Sequence, residues 1–140
     1  MADAVTSQTL VDGERLAIMK FTNISDGTGE TAVTKVTVSS LSANNLGIAC
    51  NGVTVTKITS VCHGMEVRMY WDASTDVPFF LSTINTNYQN DFSSIGGISN
   101  NAGTGKNGNI VFSTADATNG DTYTVVLEMV KHYANPFDTL

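Results

Sequence analysis

The sequence has few of the residues from which catalytic, metal-binding or phosphate-binding sites are built. Its 140 residues include two histidines, two cysteines, two prolines and seven lysines and arginines together. Charged residues make up 14% of the chain, against a usual share of about 25%. The close-spaced cysteine pairs of structural zinc sites are missing, as is the Gly-x-Ser-x-Gly turn of serine hydrolases. We therefore expect no enzyme, no cofactor and no bound metal.

Charge and hydropathy argue against two further classes of partner, nucleic acids and membranes. The basic residues are scattered singly and the net charge is −6, whereas nucleic-acid binding needs clustered lysine and arginine. No apolar run approaches the ~20 residues of a membrane-spanning helix, and the start lacks the features of a secretory signal. We expect a soluble protein made in a cytosol. A bridge between Cys50 and Cys62 is possible on count alone, but this compartment makes free thiols the default.

Two loops match ligand-binding motifs only in part. Residues 101–107, NAGTGKN, lack the first glycine of a phosphate loop and the hydroxyl that must follow its lysine, since these positions hold Asn100 and Asn107. Residues 72–76 place oxygen atoms at alternate positions, as a calcium loop does, but Val77 stands where the loop needs glycine. Turns whose side chains cap backbone amides explain both loops better.

Alternation of apolar and polar residues is the dominant pattern, and it predicts β-strands. Asp12-Gly13 and Asn51-Gly52 predict tight turns between them. About eight strands, no convincing helix and a turn signal every 8 to 12 residues are typical of a sandwich or barrel. The predicted strands occupy residues 7–11, 15–23, 31–39, 53–61, 65–71, 77–84, 109–115 and 122–133, and residues 87–92 are a candidate for a further strand.

The predicted fold is all-β: one antiparallel β-sandwich domain over residues 1–140, jelly-roll-like. The ends, residues 1–6 and 134–140, carry little pattern and could be flexible arms that order only on a partner. The longest irregular stretch, residues 93–108, is rich in glycine, serine and asparagine, and loops of this length are usually functional or mobile. The predicted core consists of Leu16, Ile18, Val36, Val55, Val67, Met69, Trp71, Phe80, Val111, Val125, Leu127 and Met129.

Three stretches carry a family resemblance: DAVTSQTLVDGERLAIMKFTNISDGTGE, VRMYWDASTD and IGGISNNAGTGKNGNIVFSTADATNGDTYTVVLEMVKHY. In texture and turn placement they resemble small virion proteins of tailed bacteriophages. The resemblance implies a capsid decoration, or cement, protein that binds the shell of the major capsid protein. It also implies a homo-oligomer, often a trimer, located on the capsid exterior after assembly in the host cytoplasm, and it carries over no catalytic residue.

Partner contacts are expected from three regions: residues 1–12, the loop from Ser93 to Gly108, and the tail from Ala134 to Leu140. Arg15 and Arg68 are the best candidates for charge-assisted contacts to an acidic partner. The candidate partner-binding residues are Arg15, Arg68, Ser93, Asn100, Asn101, Lys106 and Phe137.

Two alternative functions remain open at this point. One is a tail, neck or fibre-associated virion subunit, because β-sandwiches serve there as well. The other is a carbohydrate-binding β-sandwich module. Such a module needs exposed aromatic rings that converge on one face, and the available candidates are Tyr70, Tyr88 and Tyr133.

Overall fold

Most of the alternating sequence forms regular β-strands. A computed structural model of the chain describes residues 3–133. Within this range there are nine strands, one more than the approximate count from sequence, and no α-helix. Two short 3-10 turns, Val38–Ser40 and Ser93–Ile95, are the only helical elements described. The strands are β1 (Ala4–Asp12), β2 (Leu16–Asp26), β3 (Val33–Val36), β4 (Cys50–His63), β5 (Glu66–Trp71), β6 (Val77–Ser82), β7 (Asn87–Asp91), β8 (Ile110–Ala115) and β9 (Asn119–Tyr133).

The strands form two sheets in which each hydrogen-bonded pair is antiparallel. The larger sheet has the order β1-β2-β9-β4-β7, and the smaller has the order β3-β8-β5-β6. Their apolar inner faces pack against each other, as expected of a β-sandwich. The all-β, antiparallel sandwich predicted from sequence is confirmed, while its jelly-roll connectivity stays a prediction.

The core lies between the sheets and is built mainly from the inward-facing side chains of β2, β4, β5, β8 and β9. In β5, Val67, Met69 and Trp71 are fully buried, as the alternation predicts. Aromatic contacts cross the core: the Phe21 ring meets Phe112 edge-on, with centroids 5.2 Å apart. On β9 the predicted inner face is also confirmed, because Tyr123, Val125, Leu127 and Met129 are all buried.

Strand β2 turns the opposite face to the core from the one predicted. Its buried side chains are Ala17, Met19 and Phe21, whereas Leu16 is 36% exposed and Ile18 is half-buried. The strand is apolar on both faces, so alternation alone does not say which face is covered. The smaller sheet covers only one face, which leaves Leu16 and Ile18 outside the core.

Two other predicted core residues differ in detail, while Val36 and Val55 are buried as expected. Phe80 is partly buried and packs against the core. Val111 is buried but lies outside the main core cluster, since its neighbours in β8 are the ones that point inward. The Asn51-Gly52 turn was also predicted wrongly, because both residues lie within β4 at an irregularity in its pairing with β9.

The beginning of the described chain is tied down rather than loose. Residues 4–6, expected in an arm, belong to β1. The Asp3 carboxylate accepts hydrogen bonds from the Asn23 side chain at 3.1 Å and from the backbone N–H groups of Asp26 and Gly29, both at 3.2 Å. The other arm, residues 134–140, lies outside the described residues, as do residues 1 and 2.

Two remaining expectations concern the thiols and the membrane. Cys50 and Cys62 are both buried and free, so the default assignment of free thiols is confirmed. Among residues 3–133, no helix has the length and apolar character needed to cross a bilayer.

Candidate partner-binding surfaces

The loop of residues 93–108 is held against β4 by its own backbone. Ile98 forms a two-way bridge with Val55, with N···O distances of 2.7 and 3.1 Å. Gly97 makes this approach possible, because a Cβ there would lie 2.7 Å from the Thr54 Cγ2 atom and 2.9 Å from the Val55 carbonyl oxygen. Its φ of +85° also favours glycine. The loop that was predicted to contact a partner is therefore attached to β4 by backbone hydrogen bonds.

A cleft of about 690 Å³ opens between this loop and the ends of β4 and β9. Its lining contains one lysine and one histidine but no carboxylate, although the chain as a whole carries a net charge of −6. Amides and hydroxyl groups supply most of the remaining polar atoms. The polar side chains of the lining are Asn51, Thr54, Ser99, Asn100, Lys106, Asn107 and His132.

The hydrogen bonds that shape the cleft do not involve the amino group of Lys106. The Thr54 hydroxyl and the His132 Nε2 atom lie 2.6 Å apart. The Asn100 side-chain oxygen accepts the Ala102 N–H at 3.0 Å, which shapes the loop. Lys106 is exposed at the rim. An incoming carboxylate or peptide carbonyl would therefore meet the Lys106 amino group.

The structure brings only part of the predicted contact set to this cleft. Asn100 and Lys106 line it, and Asn101 is exposed on the same loop. Ser93 has a structural role: its hydroxyl and backbone N–H donate to the Asp91 carboxylate at 2.6 and 2.8 Å. These hydrogen bonds hold the pKa of Asp91 below its usual value. Phe137, the remaining candidate from the tail, lies outside the described residues.

Arg15 lies beside the cleft, in a second depression at the same end of the sandwich. It is exposed in the β1–β2 turn, and its carbonyl oxygen accepts the Lys131 N–H at 2.7 Å. The second depression, of about 390 Å³, is lined by Arg15, Glu14 and Tyr133 among others. His132 lines both depressions, which places Arg15, Asn100 and Lys106 at the same end of the sandwich.

Arg68 lies elsewhere, on the outer face of the smaller sheet. Its guanidinium forms an ion pair with Glu66 at 2.9 Å, and both side chains are partly exposed. The hydrogen bond with Glu66 raises the pKa of Arg68 above its ordinary value. Because its charge already has a partner, Arg68 is less suited than Arg15 to an acidic ligand.

Sequence reasoning missed a buried charge that supports the Arg15 surface from below. The Lys131 side chain is fully buried, and its Nζ donates to Asp12 Oδ1 at 2.6 Å and to the carbonyl oxygens of Gly13 and Ser42 at 2.8 Å. Burial by itself would lower the pKa of Lys131, but the hydrogen bonds and charges of Asp12 and Tyr133 together outweigh it and raise the pKa. Alternation along β9 was the available signal, because it places Lys131 on the same face as Met129.

A second polar cluster in the interior is structural. The Glu30 carboxylate accepts hydrogen bonds from the Tyr123 hydroxyl at 2.7 Å and the Asn23 amide at 2.8 Å, and it pairs with Lys35 at 2.5 Å. Burial and the bond to Glu30 raise the pKa of Tyr123 far above its ordinary value. In residues 3–133 no three histidine, cysteine or carboxylate side chains are grouped as a metal site would need.

Comparison with known proteins adds no relative. The chain matches no protein-family model, no curated protein sequence and no solved structure at a significant level. Interpretation therefore depends on the residues themselves and on the surfaces that they form.

Proposed function

We propose that the protein is a non-enzymatic virion subunit of a tailed bacteriophage, a capsid decoration protein that binds and stabilises the shell of the major capsid protein. The phage context comes from the sequence resemblance. The observation that carries a binding role is the carboxylate-free cleft between the 93–108 loop and the ends of β4 and β9. A rigid sandwich with such a cleft presents a fixed binding surface.

The charges around the cleft indicate the chemistry of the partner segment. Lys106 stands at its rim, and Arg15 lies in the adjoining depression that shares His132 with it. These groups complement an acidic segment, which in a virion would belong to the capsid shell. Repetition over many identical sites multiplies weak contacts, so a modest cleft is sufficient for stable decoration.

The carbohydrate-binding alternative gains no support from the aromatic residues. Tyr70 lies on the outer face of the smaller sheet, in a depression with Arg68. The Tyr88 ring packs on Phe80 at a centroid distance of 5.0 Å, and Tyr133 lies at the end of β9. Since the three rings belong to separate surfaces, they form no common platform for a sugar.

The proposal is tested by cosedimentation of the purified protein with phage capsids from which it has been stripped, followed by heating of the particles. We expect saturable binding at hundreds of copies per capsid and rupture at a higher temperature than for bare shells. Binding at only a handful of copies would instead assign the protein to the tail or neck. Absence of binding to any part of the particle would overturn a virion role.

A pair of charge-reversing variants tests the cleft itself. Lys106→Glu should weaken capsid binding at least about tenfold, which corresponds to about 1.4 kcal/mol. Lys20→Glu makes the same change in charge on β2, away from the cleft, and serves as the control. Equal binding by the two variants would contradict the assignment of the interface to the cleft while leaving the role in the capsid open to the binding assay.

A further inference from the structure

Strand β1 is exposed on both of its faces. All side chains from Ala4 to Val11 are exposed to solvent. Ser7 and Thr9 lie opposite Phe21 and Met19, which are buried, yet they are exposed themselves. The smaller sheet therefore ends before it reaches the underside of β1.

The other three sheet edges are short, charged or contain proline, and β1 has none of these three protections before Asp12. Strand β7 has five residues and ends in Asp91, β3 has four residues including Lys35, and β6 contains Pro78. Short length, charge and proline are the common ways to protect an edge. β1 has nine residues, with neither proline nor charge before Asp12. Its one irregularity is a bulge between Thr9 and Val11.

Within residues 3–133, the outer edge of β1 presents unpaired backbone groups. In an antiparallel pair, every second residue of an edge strand directs its N–H and C=O away from its neighbour. β1 pairs with β2 on one side only. Outside the strand ladders, the backbone hydrogen bonds of the described residues include none from residues 4–11.

Exposed apolar side chains concentrate around the same edge. Of the eleven large hydrophobic side chains that are exposed in the described part of the chain, five belong to β1 and β2. Ile24 is 59% exposed and Leu10 is 53% exposed. Apolar surface gathered beside an open edge favours burial by a partner. The five are Val5, Leu10, Val11, Leu16 and Ile24.

We propose that β1 pairs antiparallel with β1 of a second copy of the chain about a two-fold axis, so that the larger sheet continues across a dimer. The charge pattern is compatible with this occupant and offers nothing to a charged one: each chain carries a net charge of −6, but residues 4–11 hold no charge, so two copies can meet there without like charges facing each other. Such an interface closes at two copies, which differs from the trimer implied by the resemblance. The proposal is independent of the capsid role, because it concerns the free protein.

The first test measures the mass of the free protein by light scattering and sedimentation. The wild type should have twice the mass of one chain, and Ser7→Lys with Thr9→Lys should raise the dimer dissociation constant at least about tenfold through like-charge repulsion. The control, Asn87→Lys with Gln89→Lys, adds the same charge to exposed positions on β7 at the opposite edge. A monomeric wild type, or equal weakening by both pairs, would overturn the proposal.

A second test locates the two-fold axis by disulfide crosslinking and does not require a substitution that weakens the dimer. A two-fold axis perpendicular to the sheet keeps each side chain on its own face, so the residue at the axis lies opposite its own copy. Opposed Cα atoms in an antiparallel pair are about 4.5–5.5 Å apart, within the range of a disulfide. Single cysteines at positions 5 to 9 should therefore give an oxidised dimer at one position most efficiently, while Gln89→Cys should not. The native thiols are buried, and absence of a crosslink at all five positions would refute the interface.

Discussion

At the scale of single residues, the buried ammonium of Lys131 is stable because each of its protons has an acceptor. Asp12, Gly13 and Ser42 together offer it oxygen atoms at 2.6 to 2.9 Å. Removing one member of such a group leaves an uncompensated buried charge, which is strongly destabilising. Lys131 thereby fixes the β1–β2 turn, and with it Arg15, to the end of β9.

Asp12 makes the stability of this arrangement dependent on pH. Burial raises its pKa, but hydrogen bonds from Lys131 and Ser42 outweigh that effect and hold the pKa below the usual value of 3.8. A carboxyl group with a lowered pKa in the folded state stabilises the fold above its unfolded pKa. That contribution is lost as the pH falls through the folded pKa.

The Asp12→Asn variant should therefore be less stable than the wild type at pH 7, by about 1–3 kcal/mol. The difference should shrink below pH 4, because the wild type then loses the same contribution. Urea unfolding at pH 7, 4 and 2.5 measures both effects. Asp116→Asn, at an exposed turn, is the control and should show no such convergence. Parallel curves for Asp12→Asn and the wild type would contradict the assignment.

At the scale of elements, the close approach of Gly97 to β4 is one of the contacts that hold the 93–108 loop. Gly96 and Gly97 both have a φ of +85°, but a Cβ would meet nothing within 4 Å at Gly96 and would collide with β4 at Gly97. Alanine substitutions at the two positions therefore distinguish two effects. Both introduce backbone strain, but only the substitution of Gly97 also disturbs the close packing of the loop on Thr54 and Val55.

We predict that Gly97→Ala lowers the free energy of unfolding by about 1–3 kcal/mol more than Gly96→Ala. It should also increase hydrogen exchange of the Ile98 N–H, which donates to the Val55 carbonyl. Urea unfolding and amide exchange of both variants measure the effect. If the two substitutions had equal consequences, the loop would not be held by this contact.

At the scale of the whole molecule, one core between two sheets implies one cooperative unit. Trp71, the only tryptophan of the chain, is fully buried and stacks on Phe79 with ring centroids 4.4 Å apart. Its fluorescence therefore reports on the packing between β5 and β6, whereas circular dichroism reports on all the strands.

We predict that the fluorescence of Trp71 and the far-UV circular dichroism follow one coincident urea transition at a fixed protein concentration. The emission should shift to the red as the indole becomes exposed. Separate midpoints would show that part of the chain unfolds independently, which would contradict the single-domain assignment.

The cleft could be predicted only in part. The length of their loop and its glycine, serine and asparagine content predict Asn100 and Lys106 as contact residues. Nothing in the sequence, however, places that loop against Thr54 and His132, which lie on two other strands. Loops carry no periodic pattern, so their position is decided by long-range contacts such as the bridge between Ile98 and Val55.

The sequence by itself determined the all-β class and the inner faces of β5 and β9, because alternation with a period of two marks any strand that is covered on one side. Only the tertiary structure decided which face of β2 is buried, since both faces are apolar and coverage depends on how far the smaller sheet extends. The limited extent of the smaller sheet also leaves both faces of β1 exposed. This extent depends on which strands are neighbours in the assembled sheets, and no local sequence pattern records that.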